Sequence, residues 1–348
     1  MLTASFKKYT LQFKTPSGTS RGVLKTKDTY FLILKDSEKF GIGECGLFRG
    51  LSVDDRSDYE DKIAWVCDKI QKGEQELYNE LEEFPSLQIG VETAFKSLAA
   101  NNPFHIFPSP FTSGESAIPI NGLVWMGDPA FMKAQISEKL KQGFTCIKMK
   151  IGAIDFKSEL NLLKSIRKVF SVSDIELRVD ANGAFSYSEA LEKLNCLSEL
   201  SIHSIEQPIK QGQWQEMARL CEDSPLPIAL DEELIGIFSE EQKKKLLGTI
   251  QPQYIILKPS LIGGFKGSDS WISISEEMKI GWWITSALES NIGLNAIAQY
   301  AFSKNSSLPQ GLGTGSLFTN NMDSPLEVCN GKLQYHTNLK WNLKNIKI

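Results

Sequence analysis

The sequence predicts an α/β protein: a (β/α) barrel whose last helix is missing or irregular, preceded by an α+β unit. Three observations predict it. Beyond residue 115, short apolar runs alternate with amphipathic stretches at helical spacing, the pattern of a parallel sheet covered by helices. Residues 1–105 instead place β-rich runs ahead of helices. Between the two, residues 101–114 carry Pro103, Pro108 and Pro110, which fix the backbone and disfavour helix, so this stretch reads as a linker.

In the first unit, residues 7–13, 24–27, 30–35 and 40–45 are β-rich. Residues 54–73 place Ile63, Val66, Cys67 and Ile70 at helical spacing, and residues 90–100 do the same with Val91, Phe95 and Leu98. In the second unit, at 115–321, strands are expected at 118–123, 145–151, 175–180, 204–206, 227–231, 254–258, 282–286 and weakly at 311–314. About seven helices are expected between them, including 129–141, 157–170, 187–200, 213–222 and 240–247. The tail has strand-like pieces at 332–335 and 339–343, and residues 322–348 are expected to pack back and complete the first unit.

With 348 residues, 41% hydrophobic and 23% charged, the chain can bury a sizeable core as an ordinary globular protein. A net charge of −4 with scattered Lys and Arg argues against a nucleic-acid partner. No stretch approaches the ~18 apolar residues that a membrane span needs, and the N-terminus has no apolar core of a secretory signal. The six cysteines, Cys45, Cys67, Cys146, Cys196, Cys221 and Cys329, form no C-x-x-C pair. Free thiols in a reducing cytoplasm are expected. The sequence does not fix the oligomeric state.

Active residues of such barrels sit at the carboxyl ends of the strands. Those ends read Lys148-Met-Lys150, Asp180 followed by Ala-Asn182-Gly, Glu206 followed by Gln-Pro, Asp231 followed by Glu232, and Lys258 followed by Pro. Asp180 to Glu206 is 26 residues, Glu206 to Asp231 is 25, and Asp231 to Lys258 is 27, each about one β/α unit. Five successive strands are thus expected to deliver these residues at one level. Three carboxylates brought together repel, and a hard divalent cation resolves the conflict. An all-oxygen donor set selects Mg²⁺, with Mn²⁺ possible. Lys148 and Lys150 share a strand face and are expected to lower one another's pKa, which prepares a lysine to act as a general base on a small carboxylate substrate.

K-M-K at 148–150, R-V-D-A-N-G at 178–183, I-E-Q-P at 205–208, D-E at 231–232 and L-K-P at 257–259 resemble the enolase superfamily, muconate-lactonizing-enzyme subgroup. Stretches at 20–24, 43–52, 286–294 and 311–318 resemble the branch of that subgroup that makes o-succinylbenzoate for menaquinone, with residues 46–49 departing from its usual proline-rich turn. The resemblance implies a (β/α)7β modified TIM barrel with an N-terminal α+β capping domain. It implies Asp180, Glu206 and Asp231 as metal ligands, Lys150 as base and Lys258 across the ring. The implied activity is Mg²⁺-dependent syn dehydration of 2-succinyl-6-hydroxy-2,4-cyclohexadiene-1-carboxylate. On this reading Lys148 tunes Lys150, and Arg178, Asn182 and Glu232 support the site. Ser286 and the backbone around Gly313 and Thr314 take the succinyl carboxylate, and Arg21 and Leu51 lie on closing loops. A racemase of N-acylamino acids or an epimerase of dipeptides is the alternative in the same superfamily. The dipeptide enzymes usually show an acidic motif near residues 311–315, and this chain has no acid there. His105, His203 and His336 sit at positions unsuited to catalysis.

Overall fold

The computed structural model describes residues 1–19 and 22–346. It opens with an antiparallel sheet of β1 (Thr3–Thr19), β2 (Gly22–Asp36) and β3 (Lys39–Cys45), in that order. The hairpin β1–β2 is longer than the separate runs expected. Its pairing passes an irregularity between Gln12 and Ser17, where Pro16 sits without a ladder bond to lose. Then come α1 (Tyr59–Asp68), α2 (Gly73–Asn79) and α3 (Pro85–Ala99). Helix α1 starts later than the expected 54, because residues 54–58 form turns. Helix α3 starts earlier than the expected 90, because Pro85 fits a first helical turn, where its missing N–H costs nothing.

After an irregular stretch and the short β4 (Ile118–Pro119), β and α alternate. The order is β5 (Gly122–Val124), α4 (Pro129–Lys141), β6 (Cys146–Lys150), α5 (Phe156–Arg167), β7 (Glu176–Asp180), α6 (Tyr187–Ser198), β8 (Ser204–Glu206), α7 (Trp214–Asp223), β9 (Ile228–Leu230), α8 (Glu240–Ile250), β10 (Tyr254–Leu257), α9 (Gly264–Glu277), β11 (Gly281–Ile284) and α10 (Asn291–Ser303). Strands β5 to β11 form one parallel sheet in sequence order. The weak strand expected at 311–314 is reduced to two bridges, Ile120 with Gln310 and Thr285 with Gly311, which join the ends of the sheet. Gly311 has to be glycine there, since a Cβ would lie 2.0 Å from Thr285 Oγ1. Helices α9 and α10 bring the barrel helices among the described residues to the number expected, but their ranges could not be read from the sequence because they are buried on more than one side. In α10 every residue from Ile292 to Ala301 is buried, so no polar face marks it.

Alternation along the strands separates two sets of side chains. Ile147, Met149, Leu177, Val179, Ile205, Ile228, Leu230, Ile255 and Leu257 face the helices in the main core. The intervening residues of the same strands face the barrel interior. The tail contributes β12 (Leu326–Cys329) and β13 (Lys332–Tyr335), which pair with each other and with β4. Beyond them Trp341 stacks on Phe104 at 4.3 Å, and Ile346 is buried with Phe31, Ile33 and Ile42. The strand expected at 339–343 is only an isolated bridge at Asn342.

Two carboxylates from the N-terminal unit cap barrel helices. Glu44 of β3 accepts from Ser290 N (2.9 Å) and Gly293 N (2.9 Å) at the start of α10. Glu92 of α3 accepts from Phe265 N (2.6 Å) and Lys266 N (3.1 Å) at the start of α9. Each meets otherwise orphaned N–H groups and the positive end of a helix dipole. Burial nonetheless pushes the Glu92 carboxyl up from 4.5 to about 7. It therefore favours the fold most below pH 4.5 and loses that advantage as pH rises through about 7. The melting temperature of the protein should fall more steeply between pH 5 and pH 8 than that of Glu92→Gln. The difference, followed by calorimetry, should be up to about 3 kcal/mol of stability.

Candidate active site

The register of the parallel sheet builds the site. Lys150 pairs with Asp180, and Asp180 pairs with Glu206, so these residues lie side by side. Glu206 then pairs with Ala229, which puts Asp231 two residues farther along its strand. Tyr254 also pairs with Ala229, so Lys258 lies farther out again. The five residues climb a staircase rather than share one level, as strand stagger in a closed sheet requires.

Each carboxylate is met by a lysine. Lys150 Nζ donates to Asp180 Oδ2 (2.8 Å) and to Asn182 Oδ1 (2.7 Å). Lys148 Nζ donates to Glu206 Oε2 (2.6 Å) and lies 3.4 Å from Asp180 Oδ2. Lys258 Nζ donates to Asp231 Oδ2. All of these groups are buried or nearly so. Among the described residues no three acidic, His or Cys side chains gather directly into a ligand group.

The charges act strongly on one another. Burial alone would pull the Lys148 ammonium down, but the Glu206 and Asp180 carboxylates outweigh it and hold its pKa above the usual lysine range. The mutual lowering expected of paired lysines is therefore not what governs Lys148. Burial works to raise Asp180, and Lys150 and Lys148 overcome it and hold this carboxyl well below the usual range. Burial, and then the Asp180 charge, push Glu206 up. Glu206 Oε1 is buried and has no hydrogen-bond partner among the described residues. A buried carboxylate oxygen without a donor, beside two further carboxylates, is a set of hard oxygen donors short of positive charge at one point. That chemistry fits Mg²⁺ or Mn²⁺.

The supporting residues divide. Asn182, at a backbone φ of 44°, donates from Nδ2 to Glu232 Oε1 at 3.0 Å while its Oδ1 accepts a hydrogen bond from Lys150 Nζ. Arg178 shares the strand face of Asp180, yet its guanidinium points deeper into the barrel. It donates to Glu176 Oε1 (2.7 Å) and Pro309 O (3.0 Å) and lies 4.2 Å over the Trp283 ring. It fills the barrel interior and makes no hydrogen bond or ion pair with Asp180, Glu206 or Asp231. Ser286 and Thr314 are hydrogen-bonded to each other at 2.6 Å. Both line a cavity of about 370 Å³ that also exposes Lys148, Lys150, Asp180, Asn182, Lys258, Leu51 and Gly313. Arg21 lies outside the described residues.

Sequence reasoning passed over the apolar walls of this cavity: Leu24, Phe48, Trp125 and Leu288. The Trp125 ring lies 5.9 Å from Lys150 Nζ, and its backbone is bracketed by Gln135, which accepts from its N–H (2.9 Å) and donates to its C=O (3.0 Å). Trp125 directly follows the first barrel strand. The strand-end rule applied to ionisable residues alone left it out.

Residues 132–338 match the family model described as Enolase C-terminal domain-like. The o-succinylbenzoate synthase of Desulfotalea psychrophila is 46% identical over 366 residues, covering 94% of this chain and 98% of that protein. The chain belongs to the o-succinylbenzoate synthase family of the enolase superfamily. The crystal structure of MenC from Desulfotalea psychrophila superposes with a TM-score of 0.85 at 42% identity, over 96% of this chain and 99% of that one. The muconate lactonizing enzyme of Pseudomonas fluorescens shares the fold, with a TM-score of 0.84 at 21% identity over 99% of this chain and 97% of that one. The L-Ala-D/L-Glu epimerase of Bacillus subtilis is 28% identical over 52% of this chain and 49% of that protein. As a synthase-family member the chain has the capped barrel of its relatives.

Magnesium at a concentration of about 100 times its dissociation constant should stabilise the protein by about 2.7 kcal/mol, read as a rise in melting temperature. Glu206→Gln removes one charged oxygen donor, and its melting temperature should no longer respond to the ion.

Proposed function

We propose that the chain catalyses the Mg²⁺-dependent syn dehydration of 2-succinyl-6-hydroxy-2,4-cyclohexadiene-1-carboxylate to o-succinylbenzoate and water, with Lys150 as the base and acid. The observation that carries the assignment of roles is the placing of Lys150 and Lys258 on the two sides of a row of three buried carboxylates. Asp180, Glu206 and Asp231 would hold the cation. When bound, it supplies positive charge to the carboxylates in place of the ammoniums and stabilises negative charge on the ring carboxylate of the substrate.

Lys150, held by Asn182, takes the proton from the carbon bearing the carboxylate. Its ammonium returns that proton to the departing hydroxyl on the same face, so the C–H and C–O bonds break and water leaves. The ring gains aromaticity, which makes the second step easy. Lys258 stays protonated under the influence of Asp231 and Glu206, which outweigh the lowering effect of burial. It faces the negative charge that builds during proton removal, partly as a cation against the ring. Lys148 keeps its charge and neutralises Glu206 and Asp180. The walls formed by Trp125, Leu24, Phe48 and Leu288 exclude water and shape the space for the succinyl arm, and Ser286, Thr314 and the backbone at Gly313 offer its carboxylate donors. Leu51 belongs to the loop that closes one side.

Two opposed lysines would also serve two-base racemisation of an N-acylamino acid. The run at 311–315 lining the cavity offers no acid for the amine of a dipeptide. All six cysteines are free, which accords with a reducing cytoplasm, and no helix of the described residues is long and apolar enough to cross a membrane.

Mixing the protein with the cyclohexadiene substrate and Mg²⁺ should produce the absorbance of the aromatic product. Absence of turnover with the ion present would end this reading. Lys150→Ala should lose about 10²- to 10⁴-fold in kcat while keeping its fold and its thermal response to Mg²⁺. Lys258→Ala should lose rate as well, with the same controls intact.

A further inference from the structure

Glu206 is followed by a glutamine to which the dehydration gives no part. Gln207 is 0% exposed and has a backbone φ of 40°, a left-handed conformation that a residue other than glycine adopts at a cost. Its N–H continues the ladder between β8 and β9 by donating to Ala229 O (2.9 Å). In a parallel ladder the next bond would run from Asp231 N to the Gln207 carbonyl. That carbonyl instead accepts from Gly183 N (2.7 Å), which lies just beyond Asn182 at the end of β7. Asp231 N turns to the side chain and donates to Gln207 Oε1 (3.2 Å).

The remaining atoms of this side chain are used as well. Glu233 N donates to the same Oε1 (3.4 Å). Gln207 Nε2 donates to Ile209 O (3.1 Å) and to Glu233 Oε2 (3.0 Å). Glu233, 4% exposed, accepts with its other oxygen from Gly212 N (2.7 Å). One glutamine thus ties together the ends of β7, β8 and β9, which carry Asp180, Glu206 and Asp231 in turn. Among the described residues neither Gln207 nor Glu233 makes a hydrogen bond to the carboxylates of those three residues.

A buried amide whose donors and acceptors are all engaged is a fixed object, because any rotation leaves several buried groups unpaired at once. We propose that Gln207 and Glu233 are positioning residues that set the spacing of Asp180, Glu206 and Asp231, so that the cation site is shaped before an ion arrives. Mg²⁺ demands near-ideal octahedral geometry, so it loses affinity when its ligands must first be gathered. This inference rests on the reading of those three carboxylates as the cation ligands.

Gln207→Met keeps the length of the side chain and removes its hydrogen bonds. Glu233→Gln keeps the shape but leaves one acceptor oxygen where Gly212 N and Gln207 Nε2 now meet two. Mg²⁺ binding is measured by titration calorimetry on the parent, both single variants and the double variant, and amide exchange is followed without metal. Each single variant should bind Mg²⁺ about 10- to 100-fold more weakly. The double variant should bind no more weakly than the worse single variant, because both changes break one unit. In Gln207→Met the amides of Asp231 and Glu233 should exchange at least about 10-fold faster, relative to those of β10 in the same protein. A lowered melting temperature with Mg²⁺ affinity within about 2-fold of the parent would mark a merely structural pair and overturn the proposal, as would losses that multiply in the double variant. If Gln207→Met does not fold, Glu233→Gln decides alone by the same limits. If the parent binds no Mg²⁺, the cation reading fails, and unchanged exchange at Asp231 would separately overturn the lock between the strand ends.

Discussion

Everything in this molecule is arranged around negative charges that are forced together in a place with little water. Asp180, Glu206 and Asp231 are each 2% exposed or less. Left uncompensated, they would oppose folding strongly. The three strands that carry them lie side by side, flanked on either edge by a strand that carries lysine, and each carboxylate meets an ammonium. The barrel can therefore fold with its reactive centre charge-balanced. The groups of this centre are paired with one another. Glu206, with one oxygen lacking a donor, marks where the balance is least complete.

The cap carries two carboxylates that join it to the barrel. It is tied to the barrel by helix ends more than by apolar contact alone. Glu44 and Glu92 reach across and satisfy the first amides of α10 and α9. These bonds use groups that a helix must satisfy anyway, so the docking geometry is specified by chemistry the barrel already exposes. The tail adds Trp341 and Ile346 to the far side of the cap sheet.

Relatives of this fold bear names of a synthase, an epimerase and a lactonizing enzyme. The cavity of this chain has its own, mostly apolar walls. Here they are Trp125, Leu24, Phe48 and Leu288, with hydroxyls at Ser286 and Thr314. An aromatic side chain held beside Lys150 by a two-bond bracket from Gln135 leaves a shaped, mostly apolar space.

The alternation of short apolar strands with helices, and the recurrence of Lys, Asp, Glu, Asp and Lys about one β/α unit apart, were legible in the sequence because strand periodicity and the strand-end rule are local. Helices α9 and α10 were not, since burial on several sides erases the polar face that reveals a helix. Nor could spacing show the stagger that sets Asp231 and Lys258 farther out than Lys150, which depends on register between strands. Sharing a strand face with Asp180 suggested that Arg178 supports the site, but only the packed interior shows its guanidinium held by Glu176, Pro309 and Trp283. The chain alone thus determined the kind of fold and the residue types of the reactive centre. Tertiary structure decided which charges touch and which walls enclose them, because those are contacts between residues far apart in the chain.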